Sequence, residues 1–205
     1  MFENIKWLFF DVGSTIIDEH SAYEHRMREI ANAANTSYSH VLQTAMMFYK
    51  QNKKGDLETA KLLGTELPAW HKEDELLYSD ALQCLEALSH RYKIGIIANQ
   101  LPGTSERLDQ HGVLQYIDLV IASAEEGVAK PDKRIFEIAL ERSRCKPENA
   151  IMIGDRIDND IVPAKSLGMH TIWIKQGFGQ YWNITKETEK ADYIVHHLME
   201  LCNIL

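Results

Sequence analysis

A short apolar run that ends in an aspartate constrains this chain more than any other stretch. Trp7-Leu8-Phe9-Phe10 is followed by Asp11 and then by Val12-Gly13-Ser14-Thr15. Four bulky apolar residues next to small turn-forming residues are typical of a short strand buried on both faces, as in a parallel sheet. Ligands of open parallel sheets bind just beyond the carboxyl ends of the strands, so Asp11 is either a turn residue or a catalytic group.

Most of the chain alternates between segments typical of strands and segments typical of helices. Further strands are predicted at 92–99, 117–122, 150–155, 171–174 and 191–195, and helices at 104–112, 132–143 and 160–167, with a last helix at the end of the chain. Strands that alternate with helices imply right-handed crossovers between parallel strands. We therefore expect an α/β fold with a doubly wound, Rossmann-like parallel sheet.

Residues 19–71 interrupt this alternation and contain no convincing strand. Apolar residues at helical spacing predict three helices here, the first of them beginning at a capping box formed by Ser21 and Glu24. A stronger helix is predicted from Asp74 to Leu88, where the chain returns to the core. We predict a small all-helical cap (residues 19–71) inserted into a core domain made of residues 1–18 and 72–205.

Composition limits the partners that this chain can bind. The 205 residues carry a formal net charge of −8, which argues against nucleic acid or an anionic membrane as the main partner. The three cysteines are scattered and form no metal-binding or redox pair. The first residues lack the basic and apolar segments of a secretion signal, so we expect a cytoplasmic protein that is a monomer or a homodimer.

Polar residues follow the predicted strands at four places. They are Asp11, Asn99, Lys130, and Asp155 with Asp158 and Asp160. Because parallel strands end on the same side of a sheet, these side chains can converge. Converging carboxylates need a lysine or a divalent cation to neutralise them, and ligand sets made of oxygen atoms suit Mg²⁺. Carboxylates, a metal, a lysine and an amide around one point suit phosphoryl transfer.

These segments resemble the signature motifs of the haloacid dehalogenase superfamily of hydrolases. The matching segments, in family order, are Asp11–Thr15, Ile96–Asn99, Lys130–Pro131 and Gly154–Asp160. The resemblance covers the whole chain, and the cap is similar to that of the phosphoglycolate-phosphatase-like branch. It implies a Mg²⁺-dependent phosphohydrolase that acts on a small phosphorylated metabolite through an aspartyl-phosphate intermediate.

The resemblance also implies a role for each matching residue. Asp11 would be the nucleophile. The Mg²⁺ ligands would be the side chains of Asp11 and Asp155, the main-chain carbonyl of Gly13 and, through water, Asp160 or less readily Asp158. Lys130 would neutralise Asp11 and a phosphate oxygen, and Asn99 would orient the phosphate.

The chain departs from the family pattern at two positions. Most phosphatases of the family have an aspartate at position 13 that protonates the leaving group and then activates water, and Gly13 cannot transfer a proton. Ala98 stands at the substrate-binding position where the family has a hydroxyl, so one hydrogen bond to phosphate is missing. General acid–base catalysis contributes about 10²–10⁴ in rate, and Asp18 or His20 could replace the acid. On this basis Gly13→Asp is predicted to raise the hydrolysis of alkyl phosphates.

Two functions remain open on the sequence. The first is the phosphohydrolase, with low activity. The second is a catalytically impaired family member that binds a phosphorylated ligand or a protein partner. Phosphonatases also lack an acid at position 13 and use a cap lysine instead. The candidates by type are Lys50, Lys53, Lys54 and Lys61, although a solvated face explains them more simply.

Overall fold

A six-stranded parallel sheet forms the centre of the computed structural model, which describes residues 2–205. The strands along the chain are β1 Trp7–Phe10, β2 Ile17–Asp18, β3 Leu76–Leu77, β4 Lys93–Ala98, β5 Leu119–Ala122, β6 Ala150–Gly154, β7 His170–Ile174 and β8 Tyr193–Val195. The large sheet has the order β5-β4-β1-β6-β7-β8, and each neighbouring pair is parallel. The predicted α/β sheet is confirmed.

Helices cover both faces of this sheet. The α-helices are α1 His20–Ala33, α2 Tyr38–Tyr49, α3 Gly55–Leu62, α4 Ala81–Ser89, α5 Thr104–Gln110, α6 Ser123–Glu126, α7 Lys133–Ser143, α8 Val162–Ser166 and α9 Leu201–Ile204. Leu8 and Phe10 pack in one apolar cluster with residues of α4, whereas Phe9 packs on the other face with residues of α7. This two-sided burial explains why β1 is apolar throughout.

The helix predicted from Asp74 to Leu88 begins later than expected. Leu76 and Leu77 pair with Ile17 and Asp18 as a two-stranded antiparallel ribbon, and α4 starts only at Ala81. Strands of two residues show no periodicity of their own, and the four-residue spacing between Leu77 and Ala81 also fits the apolar stripe of a helix.

The three helices between residues 20 and 62 share an apolar cluster of their own. Met27 and Ile30 of α1, Val41 and Ala45 of α2, and Ala60 of α3 are buried together. This helical unit lies within residues 19–71, and its role as a cap stays a prediction. Among residues 2–205, none of the helices has the length and apolar character needed to cross a bilayer.

The start of α1 differs from the predicted capping box. The helix begins at His20, with Glu19 at the N-cap position, and Ser21 lies inside the first turn. The Glu19 side chain makes no capping hydrogen bond, while Asp18 Oδ1 accepts a hydrogen bond from the His20 main-chain N–H at 2.9 Å. The carboxyl group of Glu19 is therefore free to point away from the helix.

Candidate active site

The first and fourth motifs meet because their strands are neighbours. β1 pairs with β6, and the ladder continues one residue further, where the Asp11 main-chain N–H donates to the Ile153 carbonyl at 2.9 Å. Asp11 follows β1 directly and Asp155 follows β6 directly. Their side chains consequently leave the sheet at the same edge, as the sequence predicted.

Lys130 lies between two carboxylates of this edge. Its Nζ atom is 2.8 Å from Asp11 Oδ1 and 2.6 Å from Asp160 Oδ1, and its side chain is 1% exposed. Burial alone would lower the pKa of Lys130, but the carboxylates of Asp11 and Asp160 outweigh it and raise the pKa. The ammonium group therefore stays charged and neutralises part of the cluster.

Asp11, Asp155 and Asp160 each offer a carboxylate oxygen within 4.8 Å of the others. Burial raises the pKa of Asp155 well above its usual range, and the charges of Asp11 and Asp160 add to this effect. One lysine cannot neutralise three ionised carboxylates, so full ionisation of the cluster requires a further cation. A cluster of buried oxygen donors of this kind fits a hard divalent cation such as Mg²⁺.

Asp160 is held by contacts within the protein. Its Oδ1 accepts from Lys130, and its Oδ2 accepts from the Arg156 main-chain N–H at 3.0 Å. A Cβ atom at Gly154 would lie 2.4 Å from Asp160 Cγ, so this close approach requires a glycine. Asp158, by contrast, turns outward and forms an ion pair with Arg156 at 2.6 Å. The geometry favours Asp160 over Asp158 as the residue that supports the cluster.

Asn99 contacts Lys130 through the main chain. Its Oδ1 accepts from the Lys130 N–H at 2.7 Å, and its Nδ2 donates to the Lys130 carbonyl at 2.8 Å. Each polar atom of the carboxamide is thus used once to fix the loop that carries Lys130. One N–H of the amide is left over for a ligand.

A cavity of about 160 Å³ lies over the cluster. Its lining consists of Asp11, Gly13, Ser14, Glu19, Tyr23, Asn99, Gln100, Lys130, Asp155, Arg156 and Asn159. Tyr23 belongs to α1, so the helical unit reaches over the carboxyl ends of the strands. Ala98 and Asp160 do not line this cavity; both are fully buried beside it. None of the four candidate cap lysines is among the lining residues.

Comparison with known proteins decides the family. The family model of the haloacid dehalogenase-like hydrolases matches residues 5–168. The chain belongs to this hydrolase family. Among curated relatives, a glyceraldehyde 3-phosphate phosphatase of Pyrococcus furiosus is 30% identical, over 98% of this chain and 93% of that protein. The pyrimidine 5′-nucleotidase YjjG of Escherichia coli is 32% identical over 57% of this chain and 56% of its own length.

Solved structures of the family have the same fold. A haloacid dehalogenase family phosphatase from Thermococcus onnurineus is 25% identical with a TM-score of 0.66, and the match covers 98% of this chain and 97% of that one. The family hydrolase YfnB from Bacillus subtilis, solved with bound magnesium, is 21% identical with a TM-score of 0.73 over 99% of both chains. The second likeness concerns the fold alone.

The carboxyl group of Glu19 also belongs to this site, and it was not predicted from the sequence. Ser14 Oγ donates to Glu19 Oε2 at 2.9 Å, and the carboxyl faces the cavity beside Gly13. Burial raises the pKa of Glu19 to about 8, against the lowering effect of the Ser14 hydrogen bond. Asp18 and His20 flank Glu19 in sequence, yet neither lines this cavity. The only signal in the sequence was the position of Glu19 in the connection between β2 and α1.

A second, larger cavity adjoins the first. It has a volume of about 480 Å³ and shares Ser14 and Tyr23 with the smaller one. Its other lining residues are mostly apolar or aromatic, and they are Asp18, His20, Glu24, Met27, Tyr38, Leu42, Met46, Tyr78, Gly177, Phe178, Gln180 and Tyr181. Phe178 follows β7 and stacks on Tyr49 of α2 at 4.3 Å between ring centroids, so this wall joins the helical unit to the core.

Proposed function

We propose that this chain is a Mg²⁺-dependent phosphohydrolase that cleaves phosphate monoesters of small metabolites. One observation carries the proposal: Asp11 lies against the buried ammonium group of Lys130, in a cluster that also contains Asp155 and Asp160. The family match and the phosphatases among the relatives support the same reaction.

Asp11 is the nucleophile in this proposal. Its carboxylate attacks the phosphorus atom and forms an aspartyl-phosphate, which water then hydrolyses. The ammonium group of Lys130 pairs with the carboxyl group of Asp11 and is close enough to neutralise an oxygen of the bound phosphate. Asn99 fixes the main chain of Lys130 and has one N–H left to orient the phosphate.

The cluster of carboxylates provides the metal site. The side chains of Asp11 and Asp155 and the main-chain carbonyl of Gly13 would hold Mg²⁺, and Asp160 would support it indirectly because both of its oxygen atoms already accept hydrogen bonds. Bound Mg²⁺ would supply positive charge against the phosphate oxygens.

We further propose that residues 19–71 act as a cap over the reaction. Tyr23 of α1 lines the cavity above Asp11, and Phe178 of the core packs against the same helical unit. A cap in this position excludes water from the phosphate before the nucleophile attacks.

The larger cavity would hold the organic part of the substrate. Its volume suits a small molecule, and its aromatic and aliphatic walls favour an apolar or ring-bearing group. The P. furiosus relative is named for a phosphorylated three-carbon sugar, and the E. coli relative for a pyrimidine nucleotide. A cavity of about 480 Å³ with Tyr38, Tyr78 and Phe178 favours the ring-bearing class.

Phosphate release across a panel of phosphate esters tests the proposal. The panel contains glyceraldehyde 3-phosphate, pyrimidine and purine nucleoside monophosphates and an aryl phosphate, each with Mg²⁺ and with excess chelator. We expect release with Mg²⁺ only. Release that is unaffected by the chelator, or no release from any ester, contradicts the proposal.

The second candidate function rests on Gly13 and Ala98, which lack the acid and the hydroxyl of the family pattern. An impaired protein would be stabilised against heat by inorganic phosphate or by a phosphate ester without turning either over. Stabilisation without phosphate release across the panel would favour this binding function.

A further inference from the structure

The space beside Gly13 is filled by a carboxyl group from another part of the chain. A Cβ atom built on Gly13 would lie 2.4 Å from Glu19 Oε1 and 2.8 Å from both Glu19 Cδ and Oε2. These are overlapping positions, so a side chain at position 13 and the present position of the Glu19 carboxyl exclude each other. Glu19 therefore brings a carboxyl to the place from which a side chain at position 13 would start.

The backbone itself does not require glycine at this position. The φ angle of Gly13 lies outside the left-handed region that favours glycine, in contrast to Gly177, where φ is 50°. The absence of a side chain at position 13 therefore provides space, and the carboxyl of Glu19 uses it.

The surroundings of Glu19 hold its carboxyl in the cavity. Among residues 2–205, the Glu19 carboxyl accepts one hydrogen bond, which Ser14 Oγ donates to Oε2. The other oxygen, Oε1, lies beside Gly13. Asp11 faces the same cavity, whereas Glu75 and Arg107 lie nearby as a pair 3.6 Å apart. The carboxyl thus lies beside the nucleophile and is fixed at one oxygen only.

We propose that Glu19 is the general acid and general base of this reaction, an inference that rests on the phosphohydrolase function proposed above. It would perform the proton transfers that the aspartate at position 13 performs in most phosphatases of the family. Asp18 does not suit this role, because its Oδ1 accepts from the His20 N–H and its side chain lines only the larger cavity.

The two steps balance with Glu19 in this role. In the first, a carboxylate oxygen of Asp11 bonds to phosphorus, the ester P–O bond breaks, and the Glu19 carboxyl gives its proton to the departing alkoxide. In the second, water bonds to phosphorus, its proton passes to the Glu19 carboxylate, and the bond between phosphorus and Asp11 breaks. Inorganic phosphate and the alcohol leave, and both carboxyl groups return to their starting state.

Glu19→Gln tests the proposal with two substrates that differ in leaving group. An alkoxide needs a proton in order to leave, whereas nitrophenolate does not. We expect kcat/KM for an alkyl phosphate to fall by about 10²–10⁴, and kcat/KM for 4-nitrophenyl phosphate to fall less than about tenfold. The aspartyl-phosphate should also accumulate in the variant, detected as a phosphoryl adduct in the intact mass, because water activation is lost as well.

Two other sets of variants separate this role from a structural one. Glu137→Gln makes the same chemical change in an exposed ion pair with Arg134, outside both cavities, and should leave the ratio of the alkyl to the aryl rate unchanged. Gly13→Ala places a methyl group where Glu19 Oε1 lies and should lower that ratio as Glu19→Gln does. In Gly13→Asp/Glu19→Ala the new side chain has room, and this variant should regain alkyl phosphate hydrolysis relative to Glu19→Ala.

The outcomes distinguish this inference from the proposed function. Equal losses on both substrates in Glu19→Gln without a phosphoryl adduct, or no loss on either, overturn the role of Glu19 and leave the phosphohydrolase intact. A wild-type protein that turns over neither substrate with Mg²⁺ contradicts the phosphohydrolase and the role of Glu19 together.

Discussion

At the scale of single residues, the predictable part of the site is the part set by strand ends. Asp11 and Asp155 were predicted to lie close together because each directly follows a buried parallel strand, and parallel strands end at the same edge of the sheet. Glu19 was not predictable, since its place depends on side-chain direction in a connection and on the missing side chain of Gly13.

Replacement of Lys130 should reveal how strongly the cluster depends on its buried charge. Lys130→Met leaves the buried carboxyl groups of Asp11 and Asp160 without their cationic partner. We therefore expect the free energy of unfolding, measured in urea without metal, to fall by about 3–5 kcal/mol. The double variant Lys130→Met/Asp160→Asn removes one of the two carboxyl groups that lost their partner, and it should recover part of this free energy. A double variant as unstable as the sum of the two single changes would contradict the direct pairing.

At the scale of secondary-structure elements, long periodic segments were predicted well and short ones were not. The six strands of the parallel sheet were all expected within about two residues of their bounds, because buried apolar runs identify them. The ribbon of β2 and β3 was missed, and the start of α4 was misplaced with it, because two residues per strand carry no pattern.

The contact between the end of β4 and the Lys130 loop gives a prediction at this scale. Asn99→Ala removes both hydrogen bonds to the Lys130 main chain, so the ammonium group should lose its fixed position. We expect kcat to fall at least about tenfold, with less than about 2 kcal/mol lost in unfolding free energy. Asn149→Ala is a matched control, since Asn149 also donates to a main-chain carbonyl, that of Asn4, outside the cavity. Similar kcat losses in both variants would mean that Asn99 has no special role.

At the scale of the whole molecule, the alternation of strands and helices predicted the α/β core, but nothing in the sequence predicted what the cavities accept. The larger cavity is built from residues of α1, α2 and the segment after β7, which are far apart in sequence. No spacing rule brings these side chains together, so the substrate class had to come from the folded structure.

Metal binding should stabilise the whole fold. Mg²⁺ at about 100 times its dissociation constant contributes about 2.7 kcal/mol, which corresponds to a rise in Tm of roughly 5–10 °C for a chain of this size. Asp155→Asn removes a carboxylate from the cluster and should abolish most of this rise, whereas Asp158→Asn should preserve it, because the Asp158 carboxylate pairs with Arg156 and is not part of the cluster. An equal rise in both variants would exclude Asp155 from the metal site.

The most direct measurement of the central claim compares Asp11→Asn with Asp158→Asn on the best substrate of the panel. The two changes are chemically the same, but Asp11 lies at Lys130 in the cavity and Asp158 lies 41% exposed in an ion pair with Arg156. An amide cannot act as the nucleophile, so kcat/KM should fall by at least about 10³ in Asp11→Asn and stay within about threefold in Asp158→Asn. Phosphate release by folded Asp11→Asn within tenfold of the wild-type rate would contradict Asp11 as the nucleophile.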